Sequence, residues 1–232
     1  MNIKILDRIF TFSFYLLFFL VPLLFTPLNY ELFEFNKMIL TYALTVVITS
    51  AWILKMVKTR KLIFKKTPLD AALLLFLLSQ IISTLFSIDR HVSVFGYYSR
   101  FNGGLLSTLA YLLLYYAFVS NFRREKITIL LKFILSSAAL VAVWGILEHF
   151  GIDKNIWVQD VQNRVFSTLG QPNWLAAYLV VLIPVCISLA IKTKYKIVFL
   201  ILSLIFFMTL VFTKSRSGYL SLCLSLIVFW LG

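Results

Sequence analysis

The feature that most restricts this chain is an apolar run that recurs along its whole length. Stretches at about 9–27, 38–57, 69–87, 104–121, 127–149, 174–191, 197–213 and 218–232 approach bilayer-spanning length, about 17–25 residues. The fold expected from them is all-α: a polytopic transmembrane helix bundle with seven full spans and a truncated eighth. The pattern shows no internal repeat and no low-complexity tract, and residues 1–232 read as one transmembrane domain. Composition agrees, with 61% of residues hydrophobic and 13% charged. Soluble domains run nearer 45–50% and about 25%. A secreted disulfide scaffold, a disordered chain and a basic nucleic-acid module are thereby excluded as classes.

The ends of the pattern carry two further expectations. Pro22 and Pro27 close the first run without a small-residue cleavage box, so it reads as a retained helix rather than a removed signal. The last run stops at Phe229-Trp-Leu-Gly232 after about 15 residues, short for a span and with no charged flank. The chain therefore reads as the N-terminal part of something longer. Cys186 and Cys223 lie inside apolar runs with no metal-ligand or redox spacing, and read as packing residues.

Charge orients the bundle. With a cytoplasmic N-terminus, fifteen Lys and Arg fall in inner segments, from Lys4 and Arg8 through the 55–66 and 123–132 clusters to Lys192, Lys194 and Lys196. Seven fall outside: Lys37, Arg90, Arg100, Lys154, Arg164, Lys214 and Arg216. That asymmetry is the positive-inside rule. The net charge of +13 is thus mostly topological and calls for no nucleic-acid partner.

The seven outer cations oppose the bias, and chemistry is sought among them. Arg100 precedes Asn102-Gly103-Gly104 at the start of the fourth run. Arg164 lies upstream of Gln171-Pro172-Asn173 at the sixth, and Lys214 and Arg216 flank Ser215 at the eighth. Asn, Ser and Pro at such positions are helix-start residues. In this topology the even-numbered runs point their N-termini outward, offering free N–H groups and partial positive charge. An arginine beside such an end suits phosphate, which guanidinium grips with two parallel bonds. The competing reading is that cations near helix ends reach for headgroups, and it weighs most at Arg90, Arg100 and Lys154.

Other polar residues read as structural. Glu31 and Glu34, with Tyr30, Phe33 and Phe35 between and around them, fit an interfacial turn better than a cation site. Glu148 and His149 are neighbours, and neighbours on a helix do not face each other. His91 reads as interfacial, Pro184 as a kink, and Gly145 as a close helix contact. No metal-ligand motif, phosphate-binding glycine loop or nucleophile elbow is present.

Several stretches carry a resemblance. Arg164-Val-Phe-Ser-Thr-Leu-Gly-Gln-Pro-Asn173-Trp-Leu-Ala-Ala-Tyr178, then Thr213-Lys-Ser-Arg216-Ser-Gly218, resemble segments of the O-antigen ligase and O-antigen polymerase family. So do Ser93-Val-Phe-Gly-Tyr-Tyr-Ser-Arg100-Phe-Asn-Gly-Gly-Leu105 and Trp144-Gly-Ile-Leu-Glu-His-Phe-Gly-Ile-Asp153. Together they cover about residues 90–220 in order. The resemblance implies a multi-pass glycosyltransferase of the bacterial cytoplasmic (inner) membrane that needs no cofactor or metal. It would move a glycan from undecaprenyl pyrophosphate to a glycan, lipid-core or protein acceptor at the outer face. Arg216 and Arg164 would bind the pyrophosphate, with Arg100 and Lys214 as weaker candidates. The family's base is a histidine in a later loop, expected beyond residue 232. The catalytic residue is therefore unassigned, and the fragment is expected to be inactive alone. The alternatives are a polysaccharide flippase, which should line the mid-bilayer with charge, and a non-catalytic membrane scaffold.

Overall fold

The computed structural model describes residues 2–28 and 30–231. Nine α-helices are formed among them: α1 (Ile3–Leu23), α2 (Glu34–Thr59), α3 (Asp70–Leu85), α4 (Arg90–Phe95), α5 (Leu105–Asn121), α6 (Ile127–His149), α7 (Pro172–Lys192), α8 (Lys196–Phe212) and α9 (Arg216–Leu231). Two 3-10 turns, Arg124–Lys126 and Ser167–Leu169, complete the elements, and the described residues contain no strand.

Each apolar run coincides with one helix, although the ends move. The first helix begins at Ile3 because the Asn2 side chain accepts from Lys4 N at 3.2 Å, drawing charged residues into its first turns. The second begins at Glu34, where the Glu31 carboxylate accepts from Phe33 N at 3.2 Å and Phe35 N at 2.6 Å. That capping role answers for Glu31. The 88–103 connection holds an additional short helix, α4, capped by Asp89 through Val92 N.

Four helical stretches are long and apolar enough to cross a membrane: Ile3–Leu23, Glu34–Thr59, Arg124–His149 and Pro172–Lys192. The other four long runs, α3, α5, α8 and α9, have 16 or 17 residues each. At about 1.5 Å per residue they rise roughly 24–26 Å, less than a hydrocarbon core of about 30 Å. Their exteriors are nonetheless apolar. Helix α3 buries no residue, while Leu74, Leu75, Phe76, Leu78 and Ile82 are exposed on it. Helix α8 similarly exposes Ile197, Val198, Ile201 and Leu204. A helix of a water-soluble domain would place polar residues there.

The chain divides into two compact units, Met1–Phe133 and Ile134–Gly232. The first packs α1 on α2 and α2 on α5. Its core takes Leu6, Phe10, Phe14 and Leu17 from one face of α1, with Leu44, Ile48, Ala51 and Trp52 from α2 and Ala117 from α5. Phe14 sits edge-on to Phe10, Phe118 and Phe122 with centroids 5.0, 5.3 and 5.8 Å away. At one end Asp7 pairs with Lys55 at 2.8 Å and Arg123 at 3.5 Å.

The second unit packs α7 against α8 and α9. Leu175, Ala176, Leu179, Ile183 and Cys186 of α7 are buried with Phe206 and Leu210 of α8. Cys186 is thus a packing residue, whereas Cys223 lies exposed on α9. Two glycines allow close approach. A Cβ on Gly145 would come within 2.9 Å of Thr209 Cγ2, and one on Gly218 within 2.8 Å of Ala176 Cβ. Thr209 uses the first approach to donate to Ala142 O at 3.0 Å. Helix α7 continues through Pro184.

Candidate functional site

The site lies in the second unit, where the starts of α7 and α9 meet the 150–171 connection. The turn between α8 and α9 is tight because Lys214 takes a left-handed conformation (φ 49°). Thr213 Oγ1 donates to Leu210 O at 2.7 Å and accepts from Ser215 N at 3.2 Å, fixing that turn. Ser215 then caps α9: its Oγ accepts from Gly218 N at 3.2 Å, and its carbonyl accepts from Tyr219 N at 3.1 Å. Arg216 and Ser217 therefore occupy the first turn of α9, where the helix end carries partial positive charge.

Arg164 is tied to this turn from the loop. Its Nε donates to Thr213 O at 3.1 Å and its Nη2 to Asn173 Oδ1 at 2.9 Å. Ser215 Oγ donates to that same Asn173 oxygen at 3.0 Å. Lys214 Nζ donates to Asn163 Oδ1. Arg164, Asn173, Lys214, Arg216 and Ser217 line one cavity of about 380 Å³ that carries three cations and no acidic side chain. Three of the four arginines and lysines expected at a pyrophosphate site are thus brought together. The fourth, Arg100, belongs to the first unit, where its Nε lies 3.2 Å from Glu34 Oε2. That ion pair is a contact within the first unit.

The loop that presents Arg164 is held from beneath by Glu148, which is fully buried. Its Oε2 accepts from both Phe166 N and Ser167 N at 2.8 Å. Ser167, with positive φ, donates its hydroxyl to Val141 O at 2.6 Å. Val165 N bonds Phe212 O at 3.2 Å, so the residue after Arg164 is pinned to the end of α8. His149 points elsewhere. It stacks on Phe212 with centroids 3.9 Å apart, and its Nδ1 lies 2.7 Å from Gln162 O. A carbonyl only accepts, so Nδ1 carries the proton. Glu148 and His149 brace the loop in different directions and do not form an acid–base pair. In the first unit His91 stacks on Tyr98 at 5.5 Å, an aromatic contact within its own loop.

In the sequence Asn173 marks a helix start and belongs to the Arg164–Tyr178 stretch; in the structure its side-chain oxygen is the shared acceptor that joins Arg164 to Ser215. Asn163 was not singled out at all. The signal available for both was the density of amide side chains around Arg164, from Gln159 to Asn173.

No protein family, curated protein or solved structure matches the chain.

Proposed function

We propose that this chain carries the pyrophosphate-binding part of a membrane glycosyltransferase of the O-antigen ligase type. The enzyme transfers an oligosaccharide or polysaccharide from undecaprenyl pyrophosphate to an acceptor at the outer face of the bacterial cytoplasmic membrane. The observation that carries the reading is the cavity lined by Arg164, Lys214 and Arg216 at the first turn of α9. In this reading the N-terminus is cytoplasmic, and the apolar helices α1–α3 and α5–α9 cross the bilayer, the shorter ones by locally thinning it. The starts of α7 and α9 then face outward, at the level of a lipid-linked pyrophosphate.

The chemistry follows from charge. An acceptor hydroxyl attacks the anomeric carbon, loses its proton to a base, and the bond from that carbon to the pyrophosphate oxygen breaks. The electron pair leaves with the pyrophosphate. Arg216 and Lys214 stand where that added negative charge is best stabilised. Arg164, already held by Thr213 O and Asn173, borders the same space and has further N–H groups to offer.

The test is transfer from a purified lipid-linked glycan in membranes containing the full-length protein, at matched protein levels. Arg216→Ala should lower the rate about 100- to 1,000-fold, as expected for removing one preorganised donor. Arg216→Lys keeps the charge but loses the two-pronged grip, so it should recover only part of the rate. Unchanged transfer in Arg216→Ala would sink the assignment. Binding of the lipid without any transfer by the wild-type protein would favour a flippase.

A further inference from the structure

A second cavity, of about 510 Å³, adjoins the cationic one. It is lined by Gln159, Asp160, Asn163, Arg164, Gln171 and Pro172, so Arg164 borders both. Its chemistry differs. The lining offers three side-chain amides and one carboxylate, with Arg164 as the single cation. Phosphate would be repelled by Asp160, and an apolar ligand would strand these polar groups. A pyranose ring, which presents hydroxyls that both donate and accept, suits carboxylate and amide partners together. The volume also falls in the range of about 300–1,000 Å³ usual for small-ligand sites.

The backbone of this wall is fixed by its own turn and by the start of α7. Asp160 Oδ1 accepts from Asn163 N at 3.1 Å, and Asp160 O accepts from Arg164 N at 3.1 Å, forming a closed turn. Asn163 Oδ1 is engaged by Lys214 Nζ, which aims its amide nitrogen away from that lysine. Gln171 has its carbonyl committed to Trp174 N and Leu175 N at 3.1 Å, so the helix start of α7 fixes its backbone. Gln159, Asp160, Asn163 and Arg164 are exposed and Gln171 is half-buried, so among the described residues the second Asp160 oxygen and the side-chain amides of Gln159 and Gln171 meet solvent rather than protein partners and are open to a polar solute.

We infer that this second cavity is a carbohydrate subsite, holding the sugar attached to the pyrophosphate that the neighbouring cations bind. The inference rests on the proposed function, because it takes Arg164 as the junction between the two groups of one donor. Asp160 and Gln171 accept and donate to ring hydroxyls, while Arg164 lies between the sugar and the phosphate linked to it.

The test compares three lipids on the full-length protein in nanodiscs. They are undecaprenol, undecaprenyl pyrophosphate, and undecaprenyl pyrophosphate carrying one glucose or one N-acetylglucosamine in separate arms. The wild type should bind the pyrophosphate lipid more tightly than undecaprenol, and at least one sugar-bearing lipid about tenfold more tightly again, a gain of roughly one or two hydrogen bonds. Asp160→Asn combined with Gln171→Ala should erase that tenfold gain while leaving the bare pyrophosphate lipid bound at least as tightly as before, since it removes a negative charge beside the phosphate site. The bare lipid thereby controls for folding. No gain from either sugar in the wild type, or equal weakening of bare and sugar-bearing lipids in the double variant, overturns the subsite and leaves the pyrophosphate reading standing. A wild type that binds pyrophosphate lipid no better than undecaprenol overturns both.

Discussion

Removing the Glu148 carboxylate should release the loop that presents Arg164 without unfolding the helices around it. One buried oxygen accepts two backbone N–H groups, Phe166 and Ser167, each at 2.8 Å, and both residues are 2% exposed. Glu148→Ala leaves both donors buried and unpaired. Each such orphan costs about 1–3 kcal/mol, so the variant should lose roughly 2–6 kcal/mol of local stability. Glu148→Gln keeps a carbonyl oxygen able to accept both bonds, so its loss should be smaller than that of Glu148→Ala. The assay is amide hydrogen exchange in detergent, read at Phe166 and Ser167, with α7 and α8 as internal references. Exchange should accelerate at those two amides by at least about tenfold in Glu148→Ala, since 1.4 kcal/mol corresponds to a factor of ten. Unchanged protection at Phe166 and Ser167 would refute the reasoning. Equal acceleration throughout α7 and α8 would contradict the local character claimed for the bond.

Two further outcomes follow from the packing and the charges. Gly218→Ala places a methyl 2.8 Å from Ala176 Cβ on a rigid neighbouring helix, so it should destabilise the second unit by about 1–3 kcal/mol in thermal unfolding, and Ala176→Gly should relieve part of that loss. Reporter fusions at Lys61 and Lys194 should behave as cytoplasmic and one near Asp160 as external; an external signal at Lys61 would reverse the side assignment.

The helices were legible because their signal is local. Each apolar run marks one helix, and only the ends shift, where Asn2 and Glu31 cap from outside the run. Helix α4 escaped notice because six residues behind Asp89 carry no sustained apolar period. Whether the shorter helices span was less legible. Hydropathy runs on past the helix ends, as at 69–87 against Asp70–Leu85. Within the site, Arg164, Lys214 and Arg216 stood out as cations on the disfavoured side. The contacts that organise them did not. Glu148 reaches Phe166 and Ser167 across 18 and 19 positions, and Arg164 reaches Thr213 across 49, distances at which no periodicity helps. Arg100 is a further case: its ion-pair partner is Glu34, distant in sequence and read only as part of an interfacial turn.

The central claim is that the cavity of Arg164, Lys214 and Arg216 holds pyrophosphate, and affinity for undecaprenyl pyrophosphate tests it most directly. The measurement is equilibrium binding to the full-length protein in nanodiscs, with wild type, Arg216→Ala, Arg216→Lys and Arg90→Ala compared at one salt concentration. Arg216 would supply one or two charge-assisted bonds worth about 1.5–3 kcal/mol, so Arg216→Ala should weaken binding roughly 10- to 100-fold. Arg216→Lys should fall between that variant and wild type, and Arg90→Ala, a helix-end cation read as reaching for headgroups, should bind as wild type does. Wild-type affinity in Arg216→Ala, or an equal loss in Arg90→Ala, would contradict the account.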